Sequence, residues 1–300
     1  MSLKNFLLLN LLAALWGGSF LFMRVAAPVL GPSLLIELRV LLAGLFLFIY
    51  AYAVHQAPNF RKIWPRYILL GAINAGVPFT LIASSELHLS ASVSSILNAT
   101  TPLFAVIIAR LWLKEKFTFK KIAGIFLGIA GVSVLVGGFH GNGSSLLILS
   151  VLFSLLAALC YGIGGVYAKS HFAGEPALTL GIGQQLGAAL VLLPFSLPDS
   201  GHLQALASPV LLFSVLALAI LCTSIGYLIY FYLIRQVGPT QTLSVTLLVS
   251  VYGVIWGALF LREHLSLNTF AGMLIILSSM VLITGIKITA PLNRIMRRAG

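Results

Sequence analysis

Acidic side chains are scarce: six Asp and Glu stand among 300 residues, against 18 Lys and Arg. Charged residues of both signs make up only 8%. A soluble domain of this length needs far more charge to cover its surface, so a water-soluble fold is excluded. None of the six carboxylates is paired with another at helix spacing inside an apolar run, and neither H-E-x-x-H, G-x-S-x-G nor a P-loop occurs. That leaves no paired carboxylates and no nucleophile with its base, so catalysis is not expected. "GIGQQLG" at Gly181–Gly187 lacks the glycine spacing and the βαβ setting of a dinucleotide fingerprint. Cys160 and Cys222 lie singly inside apolar runs and read as small packing residues, without metal spacing or a disulfide framework. The six histidines are too scattered for a metal site. No cofactor is expected.

What the chain has instead is apolar length. Hydrophobic residues reach 60% and the mean hydropathy is +1.08. They fall in runs of roughly 20, enough for a helix to cross a bilayer core of about 30 Å. Ten spans are expected, at Asn5–Met23, Leu34–Val54, Tyr67–Leu87, Ser92–Trp112, Lys121–Phe139, Leu146–Ala168, Ala177–Leu197, Pro209–Ile234, Thr240–Leu261 and Thr269–Lys287. Turn chemistry separates them, as at Gly31-Pro32, Ala57-Pro58-Asn59, Gly141-Asn142-Gly143, Glu175-Pro176 and Gly238-Pro239. The fold class is therefore an all-α integral membrane protein, with the lipid bilayer as its first partner.

The net charge of +12 sits beside the spans, and no soluble segment is long enough to bind nucleic acid. With the N-terminus inside, Lys4, Arg61, Lys62, Arg66, Lys114, Lys116, Lys120, Lys121, Lys169, Arg235, Lys287, Arg294, Arg297 and Arg298 are all cytoplasmic. Only Arg262 lies clearly outside, with Arg24 and Arg39 in helices near that face. This asymmetry satisfies the positive-inside rule and places both termini in the cytoplasm.

The chain also repeats itself. "LKEKFTFKKIAG" at Leu113–Gly124 returns as "LREHLSLNTFAG" at Leu261–Gly272, 148 positions later, and "LLAAL" at Leu11 returns at Leu155, 144 positions later. About four extra residues belong in the second copy, and the polar stretch Ser196–Ser208 has room for them. Each copy holds five spans, an odd number, so the copies enter the membrane from opposite faces. Residues 1–140 and 141–290 are read as the two inverted five-helix halves, with 291–300 as a basic cytoplasmic tail. Because the first span has this mid-chain counterpart, it is read as part of the fold and not as a cleaved leader, although Lys4 and the apolar run after it resemble one. Inverted repeats characterise secondary transporters that hold substrate between the halves, near the midplane. Duplication for stability alone, as in some small-molecule channels, is the other reading.

The residues resemble the drug/metabolite transporter superfamily, specifically chains with two EamA-like domains. The resemblance rests on "LWGGSF" (Leu15–Phe20), "ELRVLLAG" (Glu37–Gly44), the run from Ser90 to Thr118, "KKIAGIFLGIAGVSVLV" (Lys120–Val136) and "LREHLS" followed by Ala271-Gly272. It implies a ten-helix carrier of the bacterial plasma membrane, often one that exports amino acids or related metabolites. Where the family usually has a ninth-helix proline to match Pro102, this chain has Ser250, and Gly253 is expected to loosen that helix instead.

Helix interruptions at matching positions point to the site. Gly17-Gly18 matches Gly162; Pro78 and Phe79 match Gly226 and Tyr227. Such residues free carbonyls for a ligand, or simply let helices pack closely. The expected cavity residues are Trp16, Asn74, Pro78, Phe79, Asn98, Thr101, Tyr161, Gln184, Tyr227, Tyr252 and Trp256. Buried amides in a membrane need partners or a wet cavity, and aromatics suit its walls. Arg39 either holds a substrate carboxylate or braces helices. Glu86 either carries a coupling proton or is a solvated helix-end carboxylate. Glu115 and Glu263, beside Lys114 or Lys116 and Arg262, read as loop-pinning ion pairs or as latches of a gate. With few fixed charges, the lining suits a neutral or zwitterionic small molecule. The assembly is read as a monomer or weak dimer.

Overall fold

The computed structural model describes residues 1–58, 60, 64–137 and 145–285. Arg61, Lys62, the Gly141-Asn142-Gly143 turn, the last residues of the expected fifth and tenth spans and the 291–300 tail lie outside the described residues. Everything described is helix or short connection: α1 Leu3–Leu30, α2 Pro32–Ala53, α3 Trp64–Ser85, α4 Ala91–Trp112, α5 Phe119–Gly137, α6 Ser145–His171, α7 Ala177–Ser196, α8 Pro209–Val237, α9 Val245–Leu261 and α10 Leu267–Thr284. Among the described residues nine helices are long and apolar enough to cross a membrane, α7 being counted with the turn after it. The expected ninth span, Thr240–Leu261, is split at Leu243–Ser244, which leaves α9 with 17 continuous residues. Large exposed side chains such as Phe126, Leu190, Phe213, Phe260 and Leu267 stud the outer faces, as lipid contact requires.

Side-chain chemistry sets the ends. Ser2, Ser90 and Ser266 each accept a backbone N–H three residues on, capping α1, α4 and α10. Gly31 and Gly238 take φ of 79° and 84°, so the chain turns there before a proline opens the next helical segment. Ser196–Ser208, expected as an insertion, contains a 3-10 helix at Leu197–Ala207 whose Asp199 carboxylate lies against Gly31.

Glycines bring the helices together. A Cβ on Gly17 of α1 would lie 2.8 Å from the Gly253 nitrogen of α9; one on Gly162 of α6 would lie 2.9 Å from the Ala105 nitrogen of α4. Both helices run unbroken through these glycines, so the interruption expected at Gly17-Gly18 and Gly162 is instead a close helix contact. Gly253 likewise seats α9 on Ser95 and does not loosen it. Gly187 packs on Ile68, joining α7 to α3, and Gly124 and Gly272 join α5 to α10.

The real irregularities lie elsewhere. In α3, Ala72–Gly76 is π-helical; in α8, Ala217–Ile225 is. The two segments correspond under the 148-residue offset. In α3 the cause is Pro78, which has no N–H to give the Asn74 carbonyl. In α8, Thr223 and Ser224 hydroxyls donate to the carbonyls of Leu218 and Ala219, five residues back, at 2.7 and 2.9 Å. α4 is broken at Ala99–Thr100: Pro102 leaves the Asn98 carbonyl free, and the Thr101 hydroxyl takes it at 2.8 Å.

Candidate substrate cavity

A cavity of about 300 Å³ lies where these irregular segments meet. Of the expected residues, Trp16, Arg39, Asn74, Phe79, Asn98, Thr101, Tyr161 and Tyr227 line it. They come from α1, α2, α3, α4, α6 and α8, so both halves of the sequence contribute. The π-helical segment of α3 supplies Asn74, and that of α8 supplies Cys222 and Thr223. A π-helical turn rotates side chains out of the regular helical register, which is why such segments recur at binding sites.

The walls are aromatic. Trp16 packs on Tyr230 with centroids 5.3 Å apart and meets Tyr227 edge-on at 6.3 Å; Phe79 meets Tyr161 at 6.1 Å. Gln184 stands behind the wall. Its Oε1 accepts from Asn74 Nδ2 and its Nε2 donates to the Tyr227 hydroxyl, both at 2.8 Å. The chain Asn74–Gln184–Tyr227 fixes one polar side of the cavity across three helices.

Arg39 is 4% exposed. Its Nε donates to the Thr223 hydroxyl at 3.0 Å, and the other nitrogens reach Met23 Sδ and the Ser19 hydroxyl at 3.5 Å. The guanidinium carbon sits 3.8 Å from the Phe79 ring centroid. Arg39 therefore touches α1, α3 and α8 and also lines the cavity.

Besides Gln184, three expected cavity residues do not line it. Trp256 donates from Nε1 to the Ala14 carbonyl at 2.9 Å, and the Tyr252 hydroxyl bonds Asn10 Oδ1 at 3.3 Å. Both are spent on the α1–α9 contact that Gly17 permits. Pro78 shapes α3 but faces elsewhere. Sequence reasoning underweighted Ser19, Met23, Cys222 and Val249, which line the cavity. A helical wheel through Trp16 (adding Ser19, Phe20 and Met23) would have found the first two.

Carboxylates mark the two ends of the bundle. Glu263, in the turn after α9, accepts the backbone N–H groups of Ala91 and Ser92 at 2.7 and 3.0 Å and the Ser92 hydroxyl. It therefore caps α4, and it pairs with no cation among the described residues. Glu86, next to this cap, is fully buried, with both oxygens lacking a hydrogen-bond partner; the expected solvated helix end is not what forms. Arg24 donates to the Glu86 carbonyl oxygen. At the opposite end Glu115 pairs with Lys169 at 3.1 Å and Lys121 at 3.6 Å, and not with Lys114 or Lys116. The Lys169 ammonium bonded to it holds its carboxyl below the usual glutamate range. The two turns are alike: Lys114 and Arg262 take φ of 56° and 54°, and the amides after them bond Ala109 and Gly257 carbonyls.

Residues 4–137 match the EamA-like transporter family, and residues 148–285 match it again. The chain belongs to the EamA-like transporter family. It carries two EamA domains of the drug/metabolite transporter superfamily and is a multi-span membrane transporter of small metabolites. It is 26% identical to an uncharacterized transporter, YvbV, of Bacillus subtilis, over 93% of this chain and 91% of that one. An uncharacterized transporter of Archaeoglobus fulgidus is 25% identical over 90% and 95% of the two chains. A crystal structure with 18% identity superposes with a TM-score of 0.62, covering 98% of this EamA chain and 99% of its own, which shows the fold alone.

Proposed function

We propose that this EamA-like chain exports amino acids or closely related metabolites, by alternating access between two inverted five-helix halves. In this reading all ten helices cross the membrane, α9 included, and both termini are cytoplasmic. The halves are residues 1–140 and 141–290, the basic 291–300 tail stays inside, and the membrane is the bacterial plasma membrane. The chain performs no chemistry on its cargo.

One observation carries the reading: α4 is buried unequally on the two sides of the cavity. Towards Glu263, every residue of Ala91–Leu97 in α4 is buried. Away from Glu263, Thr101–Ile108 of the same helix is half-exposed apart from Leu103. The turn that caps the buried end has a like turn at the other, where Glu115 is instead held by lysines. A carrier that rocks its halves exchanges such contacts. With Lys4 over the Tyr232 ring at 5.3 Å, the basic residues gather at the half-exposed end; in this reading that end faces the cytoplasm and the form is inward-open.

Protons are the coupling ion in this reading, carried by Glu86. A carboxylate buried with both oxygens unpartnered is costly, so closing this end favours the protonated group and opening it favours release. The charged groups around it are Arg24, Arg39 and Glu263.

Counterflow in proteoliposomes tests the proposal. With unlabelled amino acids inside, labelled counterparts accumulate in exchange. Glu86→Gln retains this counterflow and loses accumulation driven by a pH gradient. A channel gives flux without trans-acceleration, and that outcome contradicts the reading.

A further inference from the structure

The chain has six carboxylates, and none is bonded to Arg39; four of them have partners elsewhere, and Glu86 acts on Arg39 only at longer range. Glu115 is held by lysines, Glu263 caps α4, Glu175 accepts from the Tyr67 hydroxyl, and Asp199 lies at Gly31. Both oxygens of Glu86 and Oε2 of Glu37 have no hydrogen-bond partner. No carboxylate oxygen of the described residues, which include all six, lies within 4.0 Å of the Arg39 guanidinium. Its contacts are a hydroxyl pair, a thioether and an aromatic face, all neutral.

A guanidinium does not shed its proton in a protein, so burial cannot neutralise it. A buried cation inside a span with no carboxylate in contact is costly, and such residues mark substrate paths. The group that completes Arg39 has to arrive in the cavity that Arg39 lines.

We propose that Arg39 is the anchor for a carboxylate on the transported molecule, and thus that this carrier selects carboxylic acids over amines, amides and neutral solutes. The proposal rests on the carrier reading above and names the substrate group its cavity recognises. A carboxylate fits better than a phosphate. The cavity of about 300 Å³ is at the small end of ligand sites and holds one cation, with no lysine beside it, whereas phosphates gather several donors. A second pole is available for an ammonium group: Asn98 lines the same cavity, and its Oδ1 is buried without a donor. Trp16, Tyr227 and Tyr230 wall the same cavity and suit an apolar side chain.

The test uses matched probes in proteoliposomes: leucine, leucinamide and 3-methylbutylamine, then phenylalanine, phenylalaninamide and phenethylamine. Each amide or amine keeps the side chain and loses the carboxylate. The acids exchange, and the other probes exchange at least about tenfold more slowly. Arg39→Gln reduces acid exchange by about 10- to 100-fold, and Arg39→Lys, a point charge without the fork, restores part of it. Amides and amines exchanging as fast as the acids, or unchanged acid exchange in Arg39→Gln, overturns the anchor and leaves the carrier reading standing. Silence from all six probes contradicts the amino-acid reading instead. The anchor is then read from thermal stabilisation of the purified protein by benzoate against benzamide. A larger shift with benzoate, abolished in Arg39→Gln, supports it; equal shifts overturn it.

Discussion

Gln184 shows how much of this site depends on single polar atoms in an apolar bundle. Its amide is the middle of the Asn74–Gln184–Tyr227 chain and is 4% exposed. Gln184→Leu keeps the volume and leaves the half-buried Asn74 donor and Tyr227 hydroxyl without this partner. Each such orphan costs about 1–3 kcal/mol, less where cavity water reaches it. The expected outcome is a destabilised protein with weakened substrate affinity, read as a lower melting midpoint and a raised KM in counterflow. Gln184→Glu, which keeps two acceptors and loses the donor to Tyr227, falls between. Arg39 is the harder residue to have weighed from sequence. Two residues from Glu37, it invites the thought of a local pair, and only the packing of α1, α3 and α8 shows that its neighbours are neutral.

At the scale of the helix, the sequence marks where the backbone departs from regularity better than it marks the reason. Pro78 and Pro102 were legible as interruptions because proline removes an N–H wherever it stands. Glycine carries no such certainty: Gly17 and Gly162 serve close packing, and only the partner helix reveals it. The π-helical turn of α8 has no proline and is held by the Thr223 and Ser224 hydroxyls, a device that a sequence pattern does not announce. These differences predict opposite outcomes at two glycines. Gly17→Val drives a side chain into the α9 backbone and costs about 1–3 kcal/mol by overpacking, lowering the melting midpoint of the detergent-solubilised protein. Gly165→Ala, on α6, meets nothing within 4 Å and improves helix propensity, so it leaves the midpoint unchanged or raises it.

For the molecule as a whole, composition, span length and the echo between halves carried the membrane fold, because each follows from the bilayer as solvent. The cavity was legible in outline, since Asn74, Asn98 and the aromatics are costly or conspicuous inside spans. The burial of its Glu263 end was not. Glu263 reaches Ala91 and Ser92 across 171 to 172 residues, and Glu86 is buried by elements far from it in sequence. Both facts come from how the halves meet, and alternating access is a claim about that meeting.

The most direct test is side-specific labelling of Thr101→Cys on the half-buried cavity wall, in a Cys160→Ala, Cys222→Ala background, with a membrane-impermeant thiol reagent applied to each face of sealed vesicles. With Glu263 in place, the cysteine at position 101 reacts from the Glu115 side and is shielded from the Glu263 side. Glu263→Gln, which weakens a helix cap worth about 1 kcal/mol, raises labelling from the Glu263 side several-fold. Equal reaction from both faces with Glu263 intact, or labelling that Glu263→Gln leaves unmoved, contradicts the account.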